Sequence, residues 1–118
     1  MAIRSYRDLS TWQLSMELAR AVHATTAKWA PSEVLGRELR RTSISVPSNI
    51  AEGYGRGGTK EYRQYLRIAM GSIAELDTQL RLAALMNLVT GPEAQTLLET
   101  IDHVGRKLNR LLHSLTPQ

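Results

Sequence analysis

The stretch RRTSISVPSNIAEGYGRGG, from Arg40 to Gly58, holds most of the residue types that could bind an anion or do chemistry. Its last six residues, GYGRGG, fit the GxGxxG pattern of dinucleotide sites. In those sites the pattern follows a β-strand and belongs to a βαβ unit. Helical periodicity precedes it here, and no strand pattern occurs in the sequence. We therefore interpret the stretch as the end of a helix and its turn.

Residues for catalysis or metal binding are not arranged in a usable pattern. The serines of this stretch have no histidine beside them in sequence to activate a hydroxyl. His23, His103 and His113 are far apart, and none has a second histidine at metal-site spacing. The chain has no cysteine, which excludes disulfides and thiolate metal sites. The sequence therefore predicts a protein that is not an enzyme. We expect no catalytic residue, no metal and no cofactor.

Positive charge is concentrated in the middle of the chain. The net charge is +4, and residues 37–67 carry seven lysines and arginines against three acids. Such a local excess indicates an anionic partner, RNA or DNA. The alternative is a solvated helix surface with ion pairs between helices. The residues predicted to contact nucleic acid are Arg40, Arg56, Lys60, Arg63 and Arg67.

Two tyrosines lie among these cations. Tyr62 and Tyr65 flank Arg63, and cations interleaved with aromatic rings suit a phosphate backbone with stacked bases. The same tyrosines could belong to the core, and both alternatives stay open at this point.

A second polar group is predicted to fix the register of two helices. If the chain folds back around Gly57, Arg41 comes within reach of Glu75, and Arg37 comes near Asp77. Buried charges need such partners. By the same rule, Glu52 would lie near Tyr62 and Arg63. The predicted structural polar network contains Arg37, Arg41, Asn49, Glu52, Ser72, Glu75 and Asp77.

Apolar stripes with steps of three and four residues predict four helices, at about 10–29, 33–53, 60–89 and 93–115. In the second helix the stripe continues through Pro47, which predicts one kinked helix. Ser10 with Gln13, and Thr90 with Glu93, have capping-box spacing. The glycines from Gly53 onward are assigned to the turn. The predicted fold is a single all-α domain, an antiparallel up-down-up-down four-helix bundle with a proline-kinked second helix.

The segment from Leu82 to Val89 is apolar around nearly its whole circumference. A helix of this kind is buried on all sides, which predicts a contact between subunits. No apolar run approaches the ~20 residues of a membrane span, and the N-terminus has no signal-peptide pattern. We expect a cytoplasmic protein with no membrane partner.

The segment RRTSISVPSNIAEGYGR, with Trp12-Gln13, Glu61-Tyr62 and Ile68–Leu76, resembles the four-helix bundle proteins encoded in intervening sequences of bacterial 23S rRNA genes. The resemblance covers about residues 6–82 and is most specific at PSNIAEG. It departs mildly at residues 62 and 65, where the family often has phenylalanine. The resemblance implies an all-α bundle that assembles as a ring-shaped homopentamer. It also implies kinship with the accessory variability determinant proteins of diversity-generating retroelements, basic pentamers thought to bind nucleic acid and a reverse transcriptase.

Two functions remain open from the sequence. The first is a non-enzymatic, oligomeric nucleic-acid-binding or accessory module, RNA being the expected ligand, in which a ring gathers the cations of several subunits. The second is a protein–protein interaction scaffold without a nucleic-acid role. The scaffold would use the Leu82–Val89 segment or the turn at Gly53–Gly58.

Overall fold

Apolar stripes on four helices build the whole fold. The computed structural model describes residues 2–115. After a short 3-10 helix (Tyr6–Asp8) come α1 (Ser10–Thr26), α2 (Val34–Gly55), α3 (Thr59–Leu85) and α4 (Gly91–Ser114). Residues 2–115 contain no strand, and none of these helices is long and apolar enough to cross a membrane. The prediction of an all-α four-helix bundle is confirmed.

Most of the apolar residues that recur at steps of three and four residues lie in the core. On α3 the six seam positions between Leu66 and Ala83 are all buried. Burying one large apolar side chain contributes about 1.5–3 kcal/mol, whereas helix propensities differ by less than about 1 kcal/mol per ordinary residue. Packing of the stripes therefore holds the helices in place. The seam of α3 meets these buried residues of the other helices: Leu18, Val22, Leu39, Val46, Ile50, Leu97, Ile101, Val104 and Leu108.

Contacts between α2 and α3 join residues in opposite chain order. The hydroxyl groups of Ser45 and Ser72 lie 2.7 Å apart, while Gly53 packs against Tyr65. Advancing along α2 thus means going backwards along α3, as folding around Gly57 predicts.

The helices α1 and α4 also meet in opposite chain order. Lys107 near the end of α4 bonds Ser10 at the start of α1, with Nζ and Oγ 3.1 Å apart. Lys28, just after α1, pairs with Glu93 in the first turn of α4 at 3.0 Å. The start of α1, the α2–α3 turn and the end of α4 therefore share one end of the bundle.

The N-terminal boundaries differ from their predictions. Ser10 is the first residue of α1 and not its cap, and the capping box at this point joins Ser5 and Asp8 around the 3-10 helix. The N-cap of α2 is Glu33, whose carboxylate accepts from the backbone N–H of Leu35 at 3.0 Å. The capping box of α4, Thr90 with Glu93, is confirmed.

Helix α3 ends at Leu85, four residues before its predicted end. Asn87 adopts a left-handed conformation, with φ 59°. The N–H groups of Asn87 and Leu88 bond the carbonyls of Ala84 and Ala83, at 3.1 and 3.0 Å. This is a Schellman motif, in which asparagine replaces the usual glycine. The turn buries Val89 but leaves Leu82, Leu85 and Met86 exposed, Leu85 at 81%.

Helix α2 runs without interruption from Val34 through Pro47 to Gly55. Gly53 is therefore a helical residue, and its assignment to the turn is wrong. Gly57, with φ 85°, takes the left-handed conformation at the turn. A methyl group on Gly53 would lie 2.7 Å from Cβ of Tyr65 and 3.3 Å from the Tyr62 carbonyl. Only glycine permits this close approach of α2 and α3.

We predict that Gly53→Ala destabilises the protein although alanine favours helix. Overpacking costs about 1–3 kcal/mol, and the gain in propensity is at most about 1 kcal/mol, so a net loss of about 1–2 kcal/mol is expected. Gly71→Ala is the control, because no atom lies within 4 Å of its added Cβ on exposed α3 surface. It should stabilise by about 0.5–1 kcal/mol. Urea unfolding measures both, and equal stabilisation by the two substitutions would contradict the close approach.

Candidate nucleic-acid interface

Three of the predicted cations share one flank of α3. Lys60, Arg63 and Arg67 follow each other at steps of three and four residues, so they lie on one face over about 10 Å of helix axis. Lys60 and Arg67 are exposed and Arg63 is half-buried. None of the three takes part in an ion pair within residues 2–115. This flank presents positive charge without a carboxylate to neutralise it.

Arg63 differs from its two neighbours in its surroundings. Its Nε is buried and has no hydrogen-bond partner among residues 2–115. A donor that has lost its water without gaining a partner carries a desolvation cost. An oxyanion that reached this N–H group would remove that cost.

Arg56 lies on a different face from these three. Its Nη2 bonds Glu52 at 2.8 Å and the Tyr65 hydroxyl at 2.9 Å, and its guanidinium stands 5.3 Å from the Tyr65 ring centroid. Tyr65 is about 140–160° around α3 from the flank that carries Lys60 and Arg67. The partners of Arg56 hold it on the opposite flank, so it does not join the row of Lys60, Arg63 and Arg67, and its contact with nucleic acid stays a prediction.

The electrostatics around Arg56 agree with this geometry. The hydrogen bond from Arg56, and after it the hydrogen bond with Tyr65, lower the pKa of Glu52 below its ordinary value of 4.5. The same bond to Glu52 raises the pKa of Arg56. Both side chains are solvent-accessible, so the pair is screened by water and salt.

Arg40 is at the other end of the bundle. Sixteen residues of α2 separate it from Arg56, which is about 24 Å along a helix. Its Nη1 donates to the Thr26 hydroxyl at 3.0 Å, and it lines a groove between α1 and α2. Arg40 therefore lies apart from the cations near the turn, because α2 separates residues that are close in sequence, and its contact with nucleic acid stays a prediction.

The predicted polar network is present in its uncharged members. The Ser45 and Ser72 hydroxyls make the contact between α2 and α3, and Asn49 Nδ2 donates to the Ser45 carbonyl at 2.7 Å. Together they form a polar seam along the outside of these two helices.

The charged members of the network pair differently from their predictions. Arg41 bonds Glu38 at 2.6 Å, and this bond is the main cause of its raised pKa, to which Glu75 contributes least. Asp77 pairs with Arg81 at 2.9 Å, not with Arg37, and Glu52 pairs with Arg56. The predicted pairs between helices are wrong because a partner three or four residues away on the same helix is closer at hand.

The fold also adds cations that sequence reasoning missed. We define the basic end as residues 2–13, 48–70 and 104–115. It carries nine lysines and arginines against three acids, and the rest of the chain carries six against eight. Nine cations have no carboxylate partner within residues 2–115, and seven of them are at the basic end. These seven are Arg4, Arg7, Lys60, Arg63, Arg67, Lys107 and Arg110.

The tyrosines serve packing. The Tyr62 ring meets Tyr54 edge-on, with centroids 5.8 Å apart, and its hydroxyl is buried without a partner in residues 2–115. Burial raises the pKa of Tyr62 to about 12.

Within residues 2–115 no three His, Asp or Glu side chains are placed to hold a metal ion. The basic end thus offers positive charge and N–H donors.

Comparison with known proteins decides the family. Residues 7–110 match the family described as 23S rRNA-intervening sequence protein. The chain belongs to this family. The resemblance seen in PSNIAEG and its flanking motifs is thereby confirmed.

A solved structure shows the same fold as this 23S rRNA-intervening sequence protein. It is the crystal structure, at 1.70 Å resolution, of a protein of unknown function of the S23 ribosomal protein family from Bacteroides thetaiotaomicron. The two share 16% sequence identity with a TM-score of 0.80, over 86% of this chain and 97% of the other. No curated protein matches the chain.

We predict a pH-dependent effect of Glu52→Gln in this family member. The pKa of Glu52 is lowered in the folded protein, so its pair with Arg56 stabilises the fold above pH 4.5 and is lost as the pH falls through the lowered pKa. The variant should be less stable than wild type at pH 7, and this difference should be smaller at pH 3. Urea unfolding at both pH values measures this. Glu99→Gln, at a residue in no ion pair of residues 2–115, is the matched control, and a pH-independent loss in Glu52→Gln would contradict the assignment.

Proposed function

We propose that this protein is a non-enzymatic, oligomeric nucleic-acid-binding or accessory protein, with RNA as its first expected ligand. One observation supports the proposal above the others: seven of nine unpaired cations lie at one end of a body 46 Å long and 24 × 22 Å across. Cations spread for solubility alone would not need to gather at one end. Their gathering is typical of a surface for a polyanion.

Binding follows from counterion release. Each lysine or arginine that meets a phosphate displaces condensed cations, so affinity falls steeply with salt. One subunit supplies few contacts. Several subunits acting together raise the effective concentration of the remaining contacts and so the affinity.

Assembly is supported by an apolar patch at the opposite end of α3. Leu82, Leu85 and Met86 are exposed at 45%, 81% and 49%, next to the Schellman turn. We propose that this patch contacts a neighbouring subunit and that the assembly is the homopentamer which the family resemblance implies. In a ring whose subunits stand along its axis, rotation places every basic end on the same face.

The binding surface is tested with Lys60→Glu plus Arg67→Glu. Both residues are exposed and unpaired in the described chain, so reversal should leave the fold intact. We expect a 20-nucleotide RNA to bind on the order of tenfold more weakly at 50 mM salt, with a salt slope reduced by about 2. Fluorescence anisotropy over a salt series measures this.

The matched control is Arg20→Glu plus Arg37→Glu. It makes the same change in net charge but lies outside the basic end. Its affinity should stay within about twofold of wild type. If both double variants weaken binding equally, overall charge and not the basic end carries the interaction.

The assembly is tested with Leu82→Glu plus Leu85→Glu. Light scattering of the wild type should give several times the subunit mass of 13.2 kDa. The variant should shift to that subunit mass, because a charge in an apolar contact is costly to desolvate. Val34→Glu replaces another exposed apolar residue, 57% accessible at the start of α2, and should keep the wild-type mass. A monomeric wild type at micromolar concentration would contradict the assembly.

A second candidate function is a protein interaction scaffold. The observation in its favour is the groove of 510 Å³ between α1 and α2, lined by Trp12, Met16, Ile44 and Pro47 among others. Met16 and Ile44 are exposed at 45% and 57%, which suits a partner's apolar surface. A scaffold predicts no salt-dependent binding of RNA or DNA in the anisotropy series.

A further inference from the structure

We infer that the basic end binds a double-stranded nucleic acid through its phosphate backbone, without reading base sequence. This inference rests on the proposed function and narrows its ligand from nucleic acid in general to a duplex. It rests on two observations. The aromatic rings at the basic end already make contacts within the protein, and the unpaired cations lie on rigid helices.

Proteins that bind single strands need open aromatic rings. In such proteins bases stack on ring faces, and this stacking supplies much of the affinity. Five of the six aromatic residues of this chain are at the basic end, and all of them are half-buried. Their ring faces decide whether single strands can be held.

Each of these rings already makes an aromatic or cation–π contact. Tyr6 meets Trp12 edge-on at 5.4 Å between centroids and has the Arg7 guanidinium 5.3 Å from its ring centroid. Tyr54 and Tyr62 pack against each other. The ring of Tyr65 is covered by Arg56, which Glu52 holds in place.

The glycines offer no alternative for a single strand. Flexible Arg-Gly-Gly segments can follow unpaired bases. Here Gly55 ends α2 and Thr59 begins α3, so three residues, Arg56, Gly57 and the N-cap Gly58, lie between the helices. The one arginine of that segment, Arg56, is already paired.

The cations, by contrast, form rows on rigid helices. Lys60 to Arg67 spans about 10 Å of α3. Lys107 and Arg110 lie on the flank of the neighbouring α4 that faces α1, where Lys107 bonds Ser10. Packed helix axes are about 8–10 Å apart, so these two cations lie at least that far from the α3 row, and the two groups can meet phosphates of two strands across a major groove about 12 Å wide. Rigid rows suit the regular backbone of a duplex better than a flexible single strand.

The test compares wild-type protein on two probes of equal length. One is a 20-base-pair duplex of mixed sequence, made as RNA and as DNA, and the other is an unstructured 20-nucleotide oligo(U) or oligo(dT). We expect the duplex to bind at least about tenfold tighter at equal salt, with a slope of log K against log salt of about −4.5 when five cations meet phosphate. A scrambled duplex should bind within about twofold.

Variants separate charge from stacking. Lys60→Gln plus Arg67→Gln should weaken duplex binding, whereas Tyr65→Leu with a native-like unfolding curve should leave it within about twofold. Single-strand binding as tight as duplex binding, or a larger loss in Tyr65→Leu than in the double variant, would overturn the inference while leaving the proposed function intact. Binding of neither probe at 50 mM salt would overturn the proposed function and this inference together.

Discussion

The close approach of α2 and α3 at Gly53 is the contact on which the rest of the molecule depends. With no side chain at this residue, the backbone of α2 lies directly against Tyr62 and Tyr65. The contact fixes the register that brings Ser45 to Ser72. It also turns Tyr65 towards Arg56 on one flank of α3, and so turns Lys60, Arg63 and Arg67 to the other flank. A different register would redistribute every charge near the turn.

Gathering cations at one end has an electrostatic cost that the fold partly offsets. Like charges repel, and a net charge far from balance disfavours the compact state. Arg110 is the lysine or arginine of α4 nearest to the helix end at Ser114, where the partial negative charge of the helix terminus favours positive charge. Arg106 is paired with Asp102. Lys60 lies in the first turn of α3, where the partial positive charge of the helix terminus repels a cation. Because Lys60 is exposed, water screens this repulsion.

Sequence periodicity predicted the helices and core well because the steps of three and four residues state directly which side chains must be buried. The heptad seam from Leu66 to Ala83 is confirmed at every position. Helix ends were predicted less well, since Asn87 could stop α3 only through a backbone conformation that composition does not reveal. Gly53 was assigned to the turn because a glycine in a cluster resembles a breaker, whereas its role depends on the helix packed against it.

The candidate site was predicted only in part, and the reason is geometric. Arg40 and Lys60 are close in sequence, but α2 separates them in space. The fold brings Arg4 and Arg110 to the basic end instead. The ion pairs depend on the same geometry. Arg41 and Asp77 have ion-pair partners on their own helices, and these partners compete with any residue across the bundle. The bundle topology implies that the start of α1 and the end of α4 lie beside the α2–α3 turn. With that step, the missed cations could have been identified from the sequence.

The charge excess and the apolar patch around Leu85 lie at opposite poles of the long axis. This separation gives the molecule an electric dipole along its length, with the positive pole at the basic end. Because the patch that we propose as the subunit contact lies at the other pole, assembly through it would leave the positive poles of all subunits uncovered.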